Sequence, residues 1–272
     1  MVTIAHDRAG SRGFVPAATQ PWIRRARLLD RLRDRPHVVV VAAPPGSGKT
    51  ALLAEWVGET ETPVAWLTLD ARDNQAGRVA TFLAWSVGAI DDVTPAPDLT
   101  VDVALDFAAR EAREMIIILD DVHELTDRDA LAALDHFLLR APRSISVVLA
   151  SRADPPISMP RLNLEGRLHQ IRAGDLAFTL DEAKAFFRAC TFALSGADIE
   201  TLWARTEGWI AGLRLAALAL ASEADPARFV ADAACTEAVV SDYLLSEVFE
   251  RRPRSVQEFL LKTSVVDPRY RA

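Results

Sequence analysis

A chain of 272 residues, half of them apolar, is long for one domain and comfortable for two, and it has material for a sizeable core. Its 31 Lys and Arg stand against 38 Asp and Glu, and the resulting net charge of −7 argues against a chain that coats nucleic acid. Cys190 and Cys235 are too few and too far apart for a disulfide framework or metal cluster, and no run approaches the ~18 apolar residues of a membrane span.

Residues 1–20 carry Gly, Ser, Pro and scattered charge without a period, the composition of a mobile tail. Met1 to Gly13 lack the apolar centre of a signal peptide, so the expected location is the cytoplasm. From Trp22 to Leu32, the spacing of Leu28, Leu29 and Leu32 predicts a helix. It places Arg25 and Arg27 either at the base of a bound nucleotide or on a solvated basic face; spacing alone does not choose.

The stretch from Val38 to Thr50 is the strongest signal in the chain. Val38–Ala42 reads as an inner strand of a parallel sheet, because its four consecutive valines leave no polar face. The Gly/Pro turn and Lys-Thr that follow complete the strand–loop–helix context of a Walker A phosphate loop. Gly46 and Gly48 let backbone N–H groups approach phosphate oxygens, and the helix opening at Lys49 presents its unpaired N–H groups to the same anion. Lys49 is expected to reach the β- and γ-phosphates, with the Thr50 hydroxyl on Mg²⁺. Pro45, Gly46, Ser47, Gly48, Lys49, Thr50 and Ala51 are therefore the candidate nucleotide-binding residues. One position departs from the G-x-x-x-x-G-K-[ST] pattern: its first Gly is Ala43. The helix is expected to end at Gly58.

A second apolar strand, Val64–Leu69, runs into the polar Asp70 and Arg72-Asp73-Asn74. A helix around Arg78 to Ile90 buries Phe82, Leu83 and Trp85; Pro95 and Pro97 break the chain before another helix, Val103 to Arg113. Met115–Leu119 is a wholly apolar strand ending in Asp120-Asp121, the Walker B pattern. Asp120 then sits at the carboxyl edge of the sheet, where it can hold Mg²⁺, and Asp121 is placed to orient an attacking water. His123 and Glu124 read as a polar loop. After a helix at Asp129 to Leu139, the strand Ile145–Ala150 ends in Ser151-Arg152, which puts Arg152 in position to neutralise γ-phosphate charge. Asp154-Pro155-Pro156 and Met159-Pro160 stop regular structure, and Leu168–Ile171 is a short edge strand. The nucleotide-binding domain so defined spans residues 21–175.

Residues 176–235 change character. Thr179 and Glu182 form a capping box, and helices follow at 181–190, 197–206 and 208–222, the last apolar around most of its circumference. From 236 another amphipathic helix and the start of one more, Val256 to Leu261, precede a stop at Val265-Val266-Asp267-Pro268 that reads as a truncation.

Taken together, these pieces resemble the signal-transducing STAND ATPases, particularly the MalT-like, large LuxR-type bacterial transcription activators. The likeness runs from Trp22 to the end and rests on Arg25-Ala26-Arg27-Leu28-Leu29, the 43–50 loop, Leu119-Asp120-Asp121-Val122-His123, Leu149-Ala150-Ser151-Arg152, Leu176-Ala177-Phe178-Thr179 and Glu207-Gly208-Trp209-Ile210-Ala211-Gly212-Leu213. The resemblance implies an α/β P-loop fold, a parallel sheet with helices on both faces, then a small all-α domain and, over 236–272, the beginning of a winged helix. It also implies an ATP/ADP switch with Mg²⁺, self-association in the ATP state and DNA binding through a C-terminal module outside this sequence. Gly212-Leu213-Arg214 stands where related NTPases carry Gly-x-Pro, so a nucleotide contact by Arg214 is not carried over. Two other activities share these motifs. A P-loop kinase would use Arg161, Arg167 and Arg172 as a lid, and an AAA+-like ATPase would use Arg205 or Arg214 as a sensor.

Overall fold

Every residue of Val38–Ala42, strand β1, is buried, because β1 lies inside the sheet and is covered on both sides. The computed structural model describes residues 23–33, 36–88, 99–192, 194–221, 226–232 and 254–264, with 241, 245 and 249 singly. The other strands are β2 (Val64–Thr68), β3 (Met115–Asp120), β4 (Ile145–Ser151) and β5 (Leu168–Arg172), all parallel, in the order β2-β3-β4-β1-β5.

Alternate side chains divide between two cores. Val38, Val40, Ile117, Leu119, Val147 and Leu149 face a cluster built with α3 (Ala76–Ser86), α4 (Val101–Glu111) and α5 (Arg128–Arg140). Val39, Val41, Ile116, Ile118, Val148 and Ala150 face one built with α1 (Ala26–Arg33) and α2 (Lys49–Glu59). This is the expected α/β sheet with helices on both faces. The spacing that predicted α1 holds: Leu28, Leu29 and Leu32 are its buried residues.

Two local expectations are corrected. Gly58 does not end α2, which continues to Glu59; at the exposed end of the helix nothing approaches within 4 Å of where its side chain would be. Pro160 does not prevent a helix either: α6 (Met159–Leu164) forms with the proline in its first turn, where its missing N–H has no intrahelical partner to lose.

The chain divides into two compact units, Met1–Ala177 and Phe178–Ala272. The first closes with α7 (Ala173–Leu176). The second is helical: α8 (Leu180–Ala189), α9 (Gly196–Thr206), α10 (Ile210–Leu220), α11 (Pro226–Ala231) and α12 (Arg254–Ser264). Thr179 and Glu182 satisfy one another's backbone N–H at the start of α8, at 3.2 and 2.9 Å, as the capping box predicts. Ser195 and Asp198 do the same for α9. Leu213, Ala216 and Leu220 of α10 are buried, but Leu218 is 68% exposed, so the helix is not covered on all the sides its sequence makes apolar. The tail expectation for 1–20 and most of the winged-helix stretch lie outside the described residues.

Gly208 is fixed by two constraints at once. Its φ is +71°, and its carbonyl accepts the Phe178 N–H at 2.8 Å. A Cβ there would collide with the Phe178 carbonyl oxygen, which itself accepts the Trp203 Nε1–H at 2.7 Å. Gly208→Ala is expected to destabilise the helical unit by about 1–3 kcal/mol for the left-handed backbone, with the collision in addition. Urea unfolding followed by Trp fluorescence measures it; an unchanged midpoint would contradict the packing described.

Candidate functional site

Strand order decides which loops meet. Neighbouring strands lie about 4.8 Å apart, so with β4 between them β1 and β3 are roughly 10 Å apart. The loop after β1 must carry the chain across the end of β4 before α2 can reach β3. The Ala43 N–H pairs with the Ser151 carbonyl at 3.2 Å, so the first residue of the loop is still held by β4. Gly46 and Gly48 then take φ of +71° and +80°, conformations that suit glycine, and α2 begins at Lys49 with Gly48 as its cap. Ala43 is absent from the positive-φ positions. The departure from the Gly consensus is therefore tolerated, because the backbone there is one an L-residue adopts.

The far side of this crossing is a side-chain contact. Thr50 Oγ1 donates to Asp120 Oδ2 at 2.7 Å, joining the first turn of α2 to the last residue of β3. The other Asp120 oxygen accepts the Asp121 N–H at 3.0 Å. Asp120 is buried, and burial pushes its carboxyl above the ordinary range, opposed by the Thr50 hydrogen bond. Lys49 is buried too: its ammonium donates to the Ala43 and Pro44 carbonyls at 2.8 and 3.1 Å. Burial lowers its pKa, while Asp120 and Asp121 raise it and Arg152 lowers it. Lys49, Asp120, Asp121 and Arg152 thus form one electrostatic cluster, with Arg152 supplied by the strand between the loop and the acids.

Asp121 is not a continuation of the strand. It takes φ of +57° and caps a 3₁₀ turn, Val122–Glu124, whose Val122 is wholly buried. His123, read from sequence as part of a polar loop, folds inward on this turn. Its ring nitrogens lie 3.7 Å from Asp121 Oδ1 and 3.5 Å from Glu124 Oε1, and burial lowers its pKa. Asn74 holds the following residues: its side-chain oxygen accepts the Thr126 and Asp127 N–H groups at 2.9 and 2.7 Å, and its amide donates to Thr126 Oγ1. This tie between the loops after β2 and β3 was invisible in the sequence, since a loop Asn carries no mark of its partner.

The candidate residues separate into two groups. Ser47 is buried in the loop with Lys49; Pro45, Gly48, Thr50 and Ala51 are half-buried, and Gly46 is exposed. Arg25 and Arg27, at the start of α1, engage the segment after β5: the Arg25 guanidinium donates to the Leu176 carbonyl, and Arg27 donates to the carbonyls of Asp175 and Ala177 at 2.5 and 2.7 Å. Among the described residues no group of three or more His, Cys, Asp or Glu forms a metal cluster, and no helix is long and apolar enough to cross a membrane.

The chain's likeness to known proteins follows this geometry. It is 29% identical over 268 residues to the serine/threonine-protein kinase PknK of Mycobacterium tuberculosis, covering 92% of this chain and 24% of that protein. It is 28% identical over 269 residues to the HTH-type transcriptional regulator MalT of Serratia proteamaculans, covering 92% of this chain and 30% of that protein. The chain therefore spans about a quarter to a third of the length of these relatives. A signal transduction ATPase with numerous domains (STAND) and a tetratricopeptide repeat sensor, from Pyrococcus horikoshii, shares the fold with a TM-score of 0.52 and 16% identity, covering 92% of this chain and 36% of that one. No family model matches the chain.

Burial and the Thr50 hydroxyl act on Asp120 in opposite directions. Thr50→Val keeps the volume and removes the donor, so the Asp120 carboxyl is expected to titrate at higher pH than in the unmodified protein. Carboxyl ¹³C NMR of the nucleotide-free protein reads this, and an unmoved titration would contradict the 2.7 Å contact. The site thus lies on a five-stranded parallel sheet of P-loop type, in a chain similar to PknK and MalT over 92% of its own length.

Proposed function

We propose that the protein is an ATP/ADP-binding regulatory switch with slow ATPase activity, serving a signal-responsive transcriptional activator in which nucleotide exchange controls self-association and downstream DNA binding. The observation that carries the reading is the Thr50–Asp120 contact at 2.7 Å beside a buried Lys49, because it gathers cation-binding oxygens and a phosphate-binding ammonium at one mouth of the sheet. The regulatory part of the proposal is supported by sequence relatives described as transcriptional regulators.

The residues present fit Mg²⁺. A threonine hydroxyl and a buried carboxylate, whose charge burial disfavours, form a hard oxygen pair that a divalent ion would stabilise. When bound, the ion neutralises phosphate charge, and Thr50 and Asp120 are the residues that would hold it. The chain's own groups do the rest. The N–H groups of 46–51 line the phosphate bend, and Lys49 exchanges its two carbonyl partners for phosphate oxygens. Arg152 offsets γ-phosphate charge, and Asp121, held at the mouth by its left-handed turn, orients the attacking water. Arg25 and Arg27 support the segment 175–177.

A switch requires that ATP and ADP favour different conformations, so at least one group must contact the γ-phosphate in one state and not in the other. Lys49, Asp121 and Arg152 are the groups assigned to that contact in this reading. Hydrolysis resets the state, and a slow rate suffices for a timer. A phosphotransferase remains a distinct outcome, recognised by transfer of phosphate to an acceptor in place of release to water.

Lys49→Ala is expected to abolish the rise in melting temperature that saturating ATP or ADP gives the unmodified protein, which is on the order of 3 kcal/mol of stabilisation at a hundredfold excess over Kd. An undiminished rise would remove the loop from nucleotide binding. Asp121→Asn is expected to keep that rise and slow phosphate release at least tenfold, measured by a coupled phosphate assay; undiminished turnover would take Asp121 out of the chemistry.

A further inference from the structure

The turn that carries Asp121 is fastened at both ends to the loop that follows β2. At its start, the Asp120 carbonyl accepts the Leu69 N–H at 2.9 Å. At its end, the Asn74 side-chain oxygen accepts the N–H groups of Thr126 and Asp127 at 2.9 and 2.7 Å, and its amide donates to Thr126 Oγ1 at 2.9 Å. Between these points the segment closes on itself. The Glu124 N–H donates to the Asp121 carbonyl at 2.9 Å, the Leu125 N–H donates to the Val122 carbonyl at 3.0 Å, and Val122 and Leu125 are buried.

Asp121 occupies left-handed backbone at φ +57°, which a residue with a side chain keeps only where its surroundings hold it there. The internal hydrogen bonds and the two apolar side chains hold the middle of the turn. Asn74 holds its outgoing end, immediately before α5, where the Asp127 carboxylate accepts the N–H groups of Asp129 and Ala130 at 3.0 and 2.9 Å. An amide suits this post: its oxygen takes two N–H groups, and it adds no charge beside Asp73 and Asp127.

The base from which Asn74 reaches is itself fixed. Asp73 is buried, accepts the Asp70 N–H at 3.0 Å and pairs with Arg78 at 3.2 Å, while its carbonyl accepts the Gln75 N–H at 2.8 Å. Asn74 therefore sits between a closed 3₁₀ turn (Ala71–Asp73) and the start of α3.

We propose that Asn74 is a positioning residue for ATP hydrolysis: through the Thr126 and Asp127 amides it holds the left-handed turn that directs the Asp121 carboxylate at the attacking water. The inference rests on the role proposed above for Asp121 and requires no contact between Asn74 and the nucleotide. Asn74 then serves the rate of the chemical step and not affinity, since neither the phosphate loop nor the Thr50–Asp120 contact uses it.

Phosphate release from ATP by the whole chain tests this. Asn74→Ala is expected to lower kcat about tenfold, with KM and the nucleotide-induced rise in melting temperature unchanged. Asn74→Asp, which keeps both accepted N–H bonds, is expected to stay within about threefold of the unmodified rate. In an Asp121→Asn background, Asn74→Ala is expected to slow release no further, because it acts only through Asp121; a merely structural residue would lower the rate in both backgrounds. Amide exchange of the nucleotide-free protein gives a reading apart from activity. There Asn74→Ala is expected to speed the Glu124 N–H, which closes on the Asp121 carbonyl, by about tenfold. Asn74→Leu, similar in size but without the polar atoms, serves if the alanine variant folds poorly. An unmoved Glu124 amide, an equal loss of rate in both backgrounds, or a full rate in Asn74→Ala would each overturn the inference and leave the role of Asp121 standing. Undiminished turnover in Asp121→Asn alone, or no turnover in the unmodified protein, would remove that role and this inference with it.

Discussion

The hydrogen bond from Thr50 to Asp120 is the contact on which the site depends. β1 and β3 do not touch; β4 separates them, and the chain has to be led from one to the other over the carboxyl edge of the sheet. Both termini of that bridge are fixed by packing. At one end, Ala43 still pairs with β4 and the glycines at 46 and 48 supply left-handed backbone. At the other, the all-apolar β3 delivers a buried carboxylate to the edge. A polar group taken out of water in this way must find a partner or be neutralised, and the fold provides two, the Thr50 hydroxyl and the Asp121 N–H.

Electrostatics then give the site its character. Lys49 is buried among acids and a second cation, and it rests on two backbone carbonyls, an arrangement in which its charge is only partly compensated. A polyphosphate entering the bend offers it stronger acceptors than neutral carbonyls. In the switch proposed above, Arg152, which follows the strand between the loop and the acids, is the cation that meets the extra phosphate charge by which ATP differs from ADP.

The parts that were legible in the sequence are those written in a few consecutive residues. The 43–50 loop, the Ile-Ile-Ile-Leu-Asp-Asp strand end and the Thr179–Glu182 cap each carry their own local signal, and each forms as read. The α1 stripe of Leu28, Leu29 and Leu32 likewise follows from helical spacing alone. What was not legible is pairing at long range. The carbonyls that engage Arg25 and Arg27 lie 148 to 151 residues further along the chain, and nothing near the arginines announces them. His123 turned inward because its neighbour Val122 is drawn wholly into the core, a consequence of packing that the polar pair His123-Glu124 does not reveal. Pro160 misled for another reason: a proline that breaks a helix in its middle is welcome in its first turn.

The account is tested most directly by a crystal structure of the protein with ADP and Mg²⁺. It predicts the diphosphate within hydrogen-bonding distance of the N–H groups of 46–51, the ion beside Thr50 and Asp120, and the Lys49 ammonium moved from the carbonyls of Ala43 and Pro44 onto a phosphate oxygen. Nucleotide bound away from the bend, or Lys49 still seated on those carbonyls with the diphosphate present, would contradict it.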